Sequence, residues 1–225
     1  MAKTLLTKED QSYNCLKELI LNGDLPHGKF LSQRMLAEKC KANIVTMRAA
    51  LRQLENDGLI ENVPQWGVRI PEETEEAIRD RYFLREILEI AAIRRIIERR
   101  NNIDVAELKK RAKECDELSS EPGENFKLFA ERHYRFHQIL TDMSGSIMLS
   151  QTYKRLWMRS LMLWNARRGW LRGFDRSPML HQDLIQVILT ESEKTAVDAI
   201  IEHIRHGLEI ELNAQADNIQ DNSIE

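Results

Sequence analysis

Glycine and proline interrupt this chain so rarely that helices must dominate it. Nine glycines and five prolines are spread over 225 residues. Beyond Pro71, apolar residues recur at three- and four-residue spacing through long stretches. Few breakers and long periodic segments predict helices and argue against a turn-rich β fold. Leu84, Ile87, Leu88, Ala91 and Ile96-Ile97 mark one long helix. Others are predicted over 104–118, Phe126–Met143, Ser146–Arg167, Pro178–Thr190 and Lys194–Gln215, with the acidic tail Asp217–Glu225 frayed.

The first seventy residues follow a different plan. Tyr13, Leu16, Leu19 and Ile20 lie at helical spacing and stop at Asn22-Gly23. Ser32 is a suitable N-cap for a short helix through Met35, Leu36 and Ala37 that ends near Cys40-Lys41. Asn43 can cap a third helix carrying Met47, Ala50, Leu51 and Leu54, with Gly58 at its end. Leu59-Ile60 and Val63, the break Pro64-Gln65-Trp66-Gly67, and Val68-Ile70 read as a small β-ribbon. Two short helices, the second rich in arginine, followed by a ribbon form a winged helix-turn-helix layout. The acidic run after Pro71 reads as a linker. The expected organisation is mainly α. A winged helix-turn-helix unit with a small β-wing spans 1–72, a linker 73–76, and an all-α helical-bundle unit 77–225.

Composition narrows the function classes. No stretch approaches the roughly 18 uncharged apolar residues of a spanning helix, so a membrane protein is excluded as an expectation. The start turns acidic at Glu9 and Asp10 before any apolar run develops, unlike a secretory signal. Residues 1–70 carry 10 lysines and arginines against 8 acidic residues, and the remainder 23 against 28. Neither balance is extreme, so nucleic-acid binding must be argued from where charges sit. Cys15, Cys40 and Cys115 are an odd number at wide spacing. They suggest neither a disulfide framework nor a cysteine–zinc motif, and a reducing cytoplasm is the simplest compartment.

Five of the six histidines fall in the second part of the chain. His133 and His137 are i and i+4, on one helix face beside Phe129, Phe136 and Leu140. His181 precedes Leu184, Ile185 and Ile188, and His203 continues Ala196, Ala199 and Ile200, again at helical spacing. Four imidazoles aimed at one bundle interior are costly to bury unless each finds a partner. A divalent metal satisfies them together, as in other bundle cores. A hydrogen-bonded core histidine is the plainer reading of any one of them. His206, three residues past His203, points off the stripe and is read as a non-ligand.

These residues have a family likeness. The run Leu19-Ile20, Gly23, Leu25-Pro26, Gly28, Leu31-Ser32 and Leu36-Ala37, then Met47 to Leu51, Leu54-Glu55, Gly58 to Ile60 and Gly67, resembles the GntR family of bacterial transcription regulators. Leu84-Arg85, Leu88-Glu89, Phe136-His137, Ser144-Gly145, His181 and His203-Ile204 resemble the FCD effector domain of the FadR subfamily. The resemblance implies a homodimer that reads a palindromic operator in double-stranded DNA and responds to a small carboxylate.

The resemblance also implies roles for residues. The recognition segment is about 43–48, with Asn43, Thr46 and Arg48 as candidates. Arg34 matches a backbone-contacting arginine and Gly67 a wing-tip glycine, with Gln65, Trp66 and Arg69 beside it. Apart from the motif, Arg34 and Arg48 are solvated surface arginines. Asn43-Ile44 stands where the family usually has Ser-Arg, so one basic contact is missing; Lys41 is a candidate substitute. His137, His181 and His203 match three family metal ligands, and His133 stands where the family usually has aspartate. An all-imidazole set favours Zn or Ni over Mn or Mg, and such a site loses metal as pH falls. Arg85 matches an arginine near the effector cavity, where a guanidinium can hold a carboxylate; a helix pair with Glu89 is its plainer reading. Trp157, Arg159, Trp164 and Trp170 receive no role. Two alternatives stay open: a metal-free, ligand-responsive regulator, and a histidine-ligated metalloenzyme. Glu131 and Glu202 neighbour the ligands in sequence but point elsewhere, and no H-E-x-x-H or G-x-S-x-G motif is present.

Overall fold

The computed structural model describes residues 6–71, 74–100, 103–119, 126–157 and 179–221, which form two compact units.

In the first unit, α1 (Lys8–Leu21) opens on a reciprocal cap. The Asp10 N–H donates to Thr7 Oγ1 at 3.1 Å and the Thr7 N–H to Asp10 Oδ2 at 3.0 Å. Helix α2 (Gln33–Lys39) is capped by Ser32, which accepts from the Met35 N–H at 3.1 Å. Helix α3 (Ile44–Asn56) is capped by Asn43, whose Oδ1 accepts from Val45 and Thr46 at 3.0 and 2.9 Å. The caps predicted at Ser32 and Asn43 are therefore in place. Both α1 and α2 pack on α3. Leu16, Ile20, Leu36, Met47, Leu51, Leu54, Leu59 and Ile70 are buried together between them and the sheet.

The wing has one strand more than the spacing predicts. Strands β1 (Phe30–Leu31), β2 (Glu61–Val63) and β3 (Gly67–Arg69) are antiparallel in the order β1-β3-β2. Val63 faces Gly67, and Leu31 faces Val68. A two-residue strand before α2 leaves no periodic signal, which is why β1 is invisible in sequence. Gly67 is required by the fold itself. Its φ is +105°, and a Cβ there would lie 2.6 Å from the Leu31 carbonyl oxygen. Gly67→Ala is expected to cost about 1–3 kcal/mol through backbone strain. A thermal melt checks it; an unchanged midpoint would mean that β1 yields freely.

Cys15 and Cys40 correct an expectation. They form a disulfide, with Cα atoms 5.8 Å apart, while Cys115 is a buried free thiol. Sequence separation hides this, because α1 and the end of α2 meet only once both have packed on α3.

The second unit contains α4 (Glu75–Arg99), α5 (Ala106–Ser119), α6 (Phe126–Met143), α7 (Ile147–Trp157), α8 (His181–Thr190) and α9 (Glu193–Asp221). Helix α4 packs against α6, α7 and α9; α5 packs against α6 and α8; α8 also packs on α9. Three boundaries differ from expectation. Glu75 and Glu76, read as linker, are the first turn of α4, where Thr74 caps the Ala77 N–H at 3.1 Å and the acidic side chains suit the helix dipole. Helix α8 starts at His181, three residues after Pro178. Helix α9 continues to Asp221 through the segment read as frayed, with no proline to stop it. The part of the predicted fourth helix beyond Trp157, with Arg159, Trp164 and Trp170, lies outside the described residues. Among the described residues, no helix is long and apolar enough to cross a membrane.

The buried face of α4 mixes charged and apolar side chains. Arg81, Arg85 and Glu89 are buried there with Ile78, Tyr82, Ala92, Ile93 and Ile96, whereas Leu84 and Ile87 face solvent. Two of these charges are answered at once: Arg81 pairs with Glu211 of α9 at 2.6 Å, and Arg85 with Glu89 at 2.6 Å.

Candidate metal centre and nucleic-acid interface

The four sequence-predicted histidines converge. His133 and His137 come from α6, His181 from the first position of α8 and His203 from α9. One ring nitrogen of each lies within 4.8 Å of the others. His137, His181 and His203 are buried, and His133 is half-buried against the rings of Phe129 and Trp157. His137 Nε2 is 3.1 Å from His133 Nε2 and 3.3 Å from His203 Nε2.

Two carboxylates set the orientation: Glu89, expected only as a partner of Arg85, and Asp116, which the sequence did not single out. Glu89 Oε2 lies 2.6 Å from His137 Nδ1, and Asp116 Oδ1 lies 2.7 Å from His181 Nδ1. In both cases the Nδ1–H donates outward and the Nε2 lone pair faces the cluster, the usual support for a metal-ligating imidazole. Asp116 has a second task. Leu180 gives α8 no side-chain cap, and Asp116 instead accepts the His181 and Gln182 N–H groups, each at 3.0 Å. Burial raises the Asp116 carboxyl, but these bonds outweigh it and hold the pKa below the usual range. The i, i+4 spacing exposes Glu89 as a partner of Arg85 but not of His137; nothing local marks Asp116, which reaches α8 from α5.

Protonation favours ligation. Burial first, then neighbouring positive charge, holds His133, His137 and His203 well below the usual imidazole pKa. Their lone pairs are therefore available at neutral pH. His203 Nδ1 is buried with no hydrogen-bond partner among the described residues. Arg85 Nη2 and the Nε2 atoms of His133 and His203 all converge on His137 Nε2, which has one lone pair. Imidazole nitrogen atoms that face one another at 3.1 and 3.3 Å are a feature that a bound cation resolves, so these residues fit a divalent metal.

Arg85 reaches the same place. Its Nε donates to Glu89 Oε1 at 2.6 Å, and its Nη2 lies 2.9 Å from His137 Nε2. The expected pair with Glu89 at i+4 is present, though buried rather than at the surface, and Arg85 also borders the histidine cluster. Cys115 Sγ is 3.8 Å from His181 Nε2. His206 is outside the cluster.

The first unit presents its candidates on one stretch of chain. Arg34 on α2 and Arg48 on α3 are exposed, and Arg48 Nε donates to Gln33 Oε1 at 3.2 Å. Asn43 spends its side-chain oxygen on the cap, and Thr46 Oγ1 donates to the Asn43 carbonyl at 3.1 Å. Gln65, with φ +70°, and Trp66 stand exposed at the wing turn before Gly67. Arg69 is engaged elsewhere: its Nε donates to Glu61 at 3.0 Å, and its guanidinium lies over Phe30. At the start of α3, Ile44 is 39% and Val45 70% exposed, so apolar groups occupy the position of the missing basic contact.

Comparisons with known proteins agree with this architecture. Residues 8–70 match the bacterial regulatory proteins of the gntR family, and residues 80–206 match the FCD domain. The HTH-type transcriptional regulator YdhC of Bacillus subtilis (strain 168) is 23% identical over 202 residues, covering 88% of each chain. A GntR regulator from Rhodococcus sp. RHA1 superposes with a TM-score of 0.72 at 18% identity, over 93% of this chain and 99% of that one. E. coli McbR/YncC gives 0.67 at 18% identity with the same coverage. These families are regulators, which removes the metalloenzyme alternative. The winged helix-turn-helix unit coincides with the first match and the helical unit with the second: the chain belongs to the GntR family of bacterial transcriptional regulators, in its FCD-bearing, FadR-type branch.

Proposed function

We propose that this regulator binds a palindromic operator as a homodimer through residues 1–72 and adjusts that binding through residues 77–225, where a small carboxylate sits beside a divalent metal. The observation that carries the reading is the convergence of four imidazole donors within 4.8 Å. His133, His137, His181 and His203 hold the metal, with Zn or Ni favoured by an all-nitrogen set. A bound metal supplies a Lewis-acidic point for an anion. Arg85 supplies a guanidinium for the other side of a carboxylate. Effector binding shifts operator affinity only if the ligand prefers one arrangement of the dimer.

Arg34, Asn43, Thr46, Arg48, Gln65 and Gly67 form the DNA-facing set. Arg34 and Arg48 serve phosphates or guanine edges, and Gly67 keeps the wing turn narrow. Exposed Ile44 and Val45 suit thymine methyl groups rather than phosphates. Phe83, Leu84 and Ile87 put an exposed apolar stripe on α4, and a second copy of the chain is its partner. Such a regulator works in the cytoplasm.

The deciding experiment is elemental analysis of untagged protein, followed by operator selection with metal-loaded and chelator-treated samples. About one Zn or Ni per chain supports the reading, while metal-free protein with full operator response sinks it. The metal-free alternative has one observation in its favour: Arg85 Nη2 already lies against His137 Nε2. For DNA, Arg48→Ala is expected to lower operator affinity and to reduce the salt slope by about one unit. Its melting temperature should hardly change, since the side chain is exposed. An unaltered slope would place Arg48 off the backbone.

A further inference from the structure

The disulfide between Cys15 and Cys40 is unexpected in a DNA-binding regulator. Such a protein works where DNA is, in a compartment that keeps thiols reduced. Disulfides found there are usually transient and redox-sensing. Three features of this pair suit reversible chemistry. Both cysteines are half-buried rather than sealed in the core, so small oxidants and thiols can reach them. Their Cα atoms are 5.8 Å apart, an ordinary separation for a disulfide. The remaining cysteine, Cys115, is fully buried and does not compete.

The position links the bond to DNA reading. Cys15 lies in the middle of α1. Cys40 is the C-cap of α2 and packs on the core. The next residue, Lys41, has φ +49° and turns the chain toward Asn43, the cap of α3. The Lys41 N–H donates to the Glu38 carbonyl at 3.1 Å and the Ala42 N–H to Ala37 at 2.9 Å, so this turn is built on the last residues of α2. The covalent tie thus pins α1 to the start of the turn that aims α3. Without it, among the described residues the end of α2 is held by packing and these backbone bonds.

We propose that Cys15 and Cys40 are a redox-sensitive site, closed by peroxides and reopened by low-molecular-weight thiols, and that the closed form binds operator DNA more tightly. In closure, one cysteine thiolate attacks the peroxide, the O–O bond breaks, and a sulfenic acid and hydroxide form; the hydroxide takes up the proton that the thiol had released and leaves as water. The second thiolate attacks the sulfenyl sulfur, the S–O bond breaks, and the departing hydroxide takes a proton to leave as water. Two thiols and one hydrogen peroxide give one disulfide and two waters. In reopening, two thiol molecules reduce the bond and are released as their own disulfide.

The test uses the full-length protein, treated either with dithiothreitol or with hydrogen peroxide followed by removal of excess oxidant. Intact mass after alkylation under native conditions counts the accessible thiols. DNA duplexes selected from a random library by each form are then titrated with both forms. Two alkylated cysteines in the reduced form and none in the oxidised form are expected, with Cys115 protected in both. Reduced protein is expected to bind at least tenfold more weakly and to melt roughly 10 °C lower, from the loop entropy restored to its unfolded chain. Cys15→Ser and Cys40→Ser should each behave as the reduced form and ignore peroxide. A bond that millimolar dithiothreitol does not open, thiols that peroxide does not close, or equal affinity of the two forms would overturn the proposal.

Discussion

Glu89→Ala is expected to destabilise the helical unit by about 3–5 kcal/mol, the usual cost of stranding a buried charge. Glu89 is fully buried and holds two partners: Arg85 through one oxygen and His137 through the other, both at 2.6 Å. Burial works against the Arg85 charge and Glu89 more than compensates; with Glu89 removed the guanidinium, which proteins do not deprotonate, is left buried without that counter-charge. The expected fall in melting temperature is about 10 °C, measured by calorimetry on metal-free protein. Glu89→Gln keeps the shape and one acceptor, and should fall between. If both variants melted like the parent, Arg85 would have to reach water, and the closed Arg85–Glu89–His137 chain would be wrong.

His203→Leu has opposite effects on stability and on ligation. His203 Nδ1 is a buried nitrogen with no hydrogen-bond partner among the described residues, a defect worth about 1–3 kcal/mol. Leucine is of similar size and has no polar atom, so the variant should melt a few degrees higher. Metal affinity should fall by more than about 100-fold, since even outer-shell changes cost 10–100-fold. Isothermal titration with Zn and a melting curve read both effects. A stabilised variant that still bound Zn at parental affinity would remove His203 from the ligand set. A destabilised one would make His203 a packed structural residue.

Asp116→Asn separates orientation from ligation. Asparagine keeps an acceptor for the start of α8 but loses the charge that faces His181 Nδ1. A decrease of about 10–100-fold in metal affinity with the fold intact is expected. Titration of the folded variant with Zn checks it, and parental affinity would show that His181 needs no carboxylate behind it.

Much of this protein is determined locally and is legible in sequence. The caps at Ser32 and Asn43, the stop at Asn22-Gly23 and the inward histidine stripes depend on spacings of two to four residues, which helix geometry converts directly into shared faces. The tertiary structure alone decided the rest. Strand β1 exists because β3 offers Phe30–Leu31 a partner, not because two residues carry a pattern. Cys15 meets Cys40 because two helices rest on a third. Asp116 serves α8 from α5, and Arg81 finds Glu211 across 130 residues. Leu84 and Ile87 face outward while Arg85 and Glu89 turn in, because charges that satisfy one another and a histidine can be buried together where single charges cannot. Pairings of this kind depend on distance in space, and the order of residues along the chain does not encode that distance.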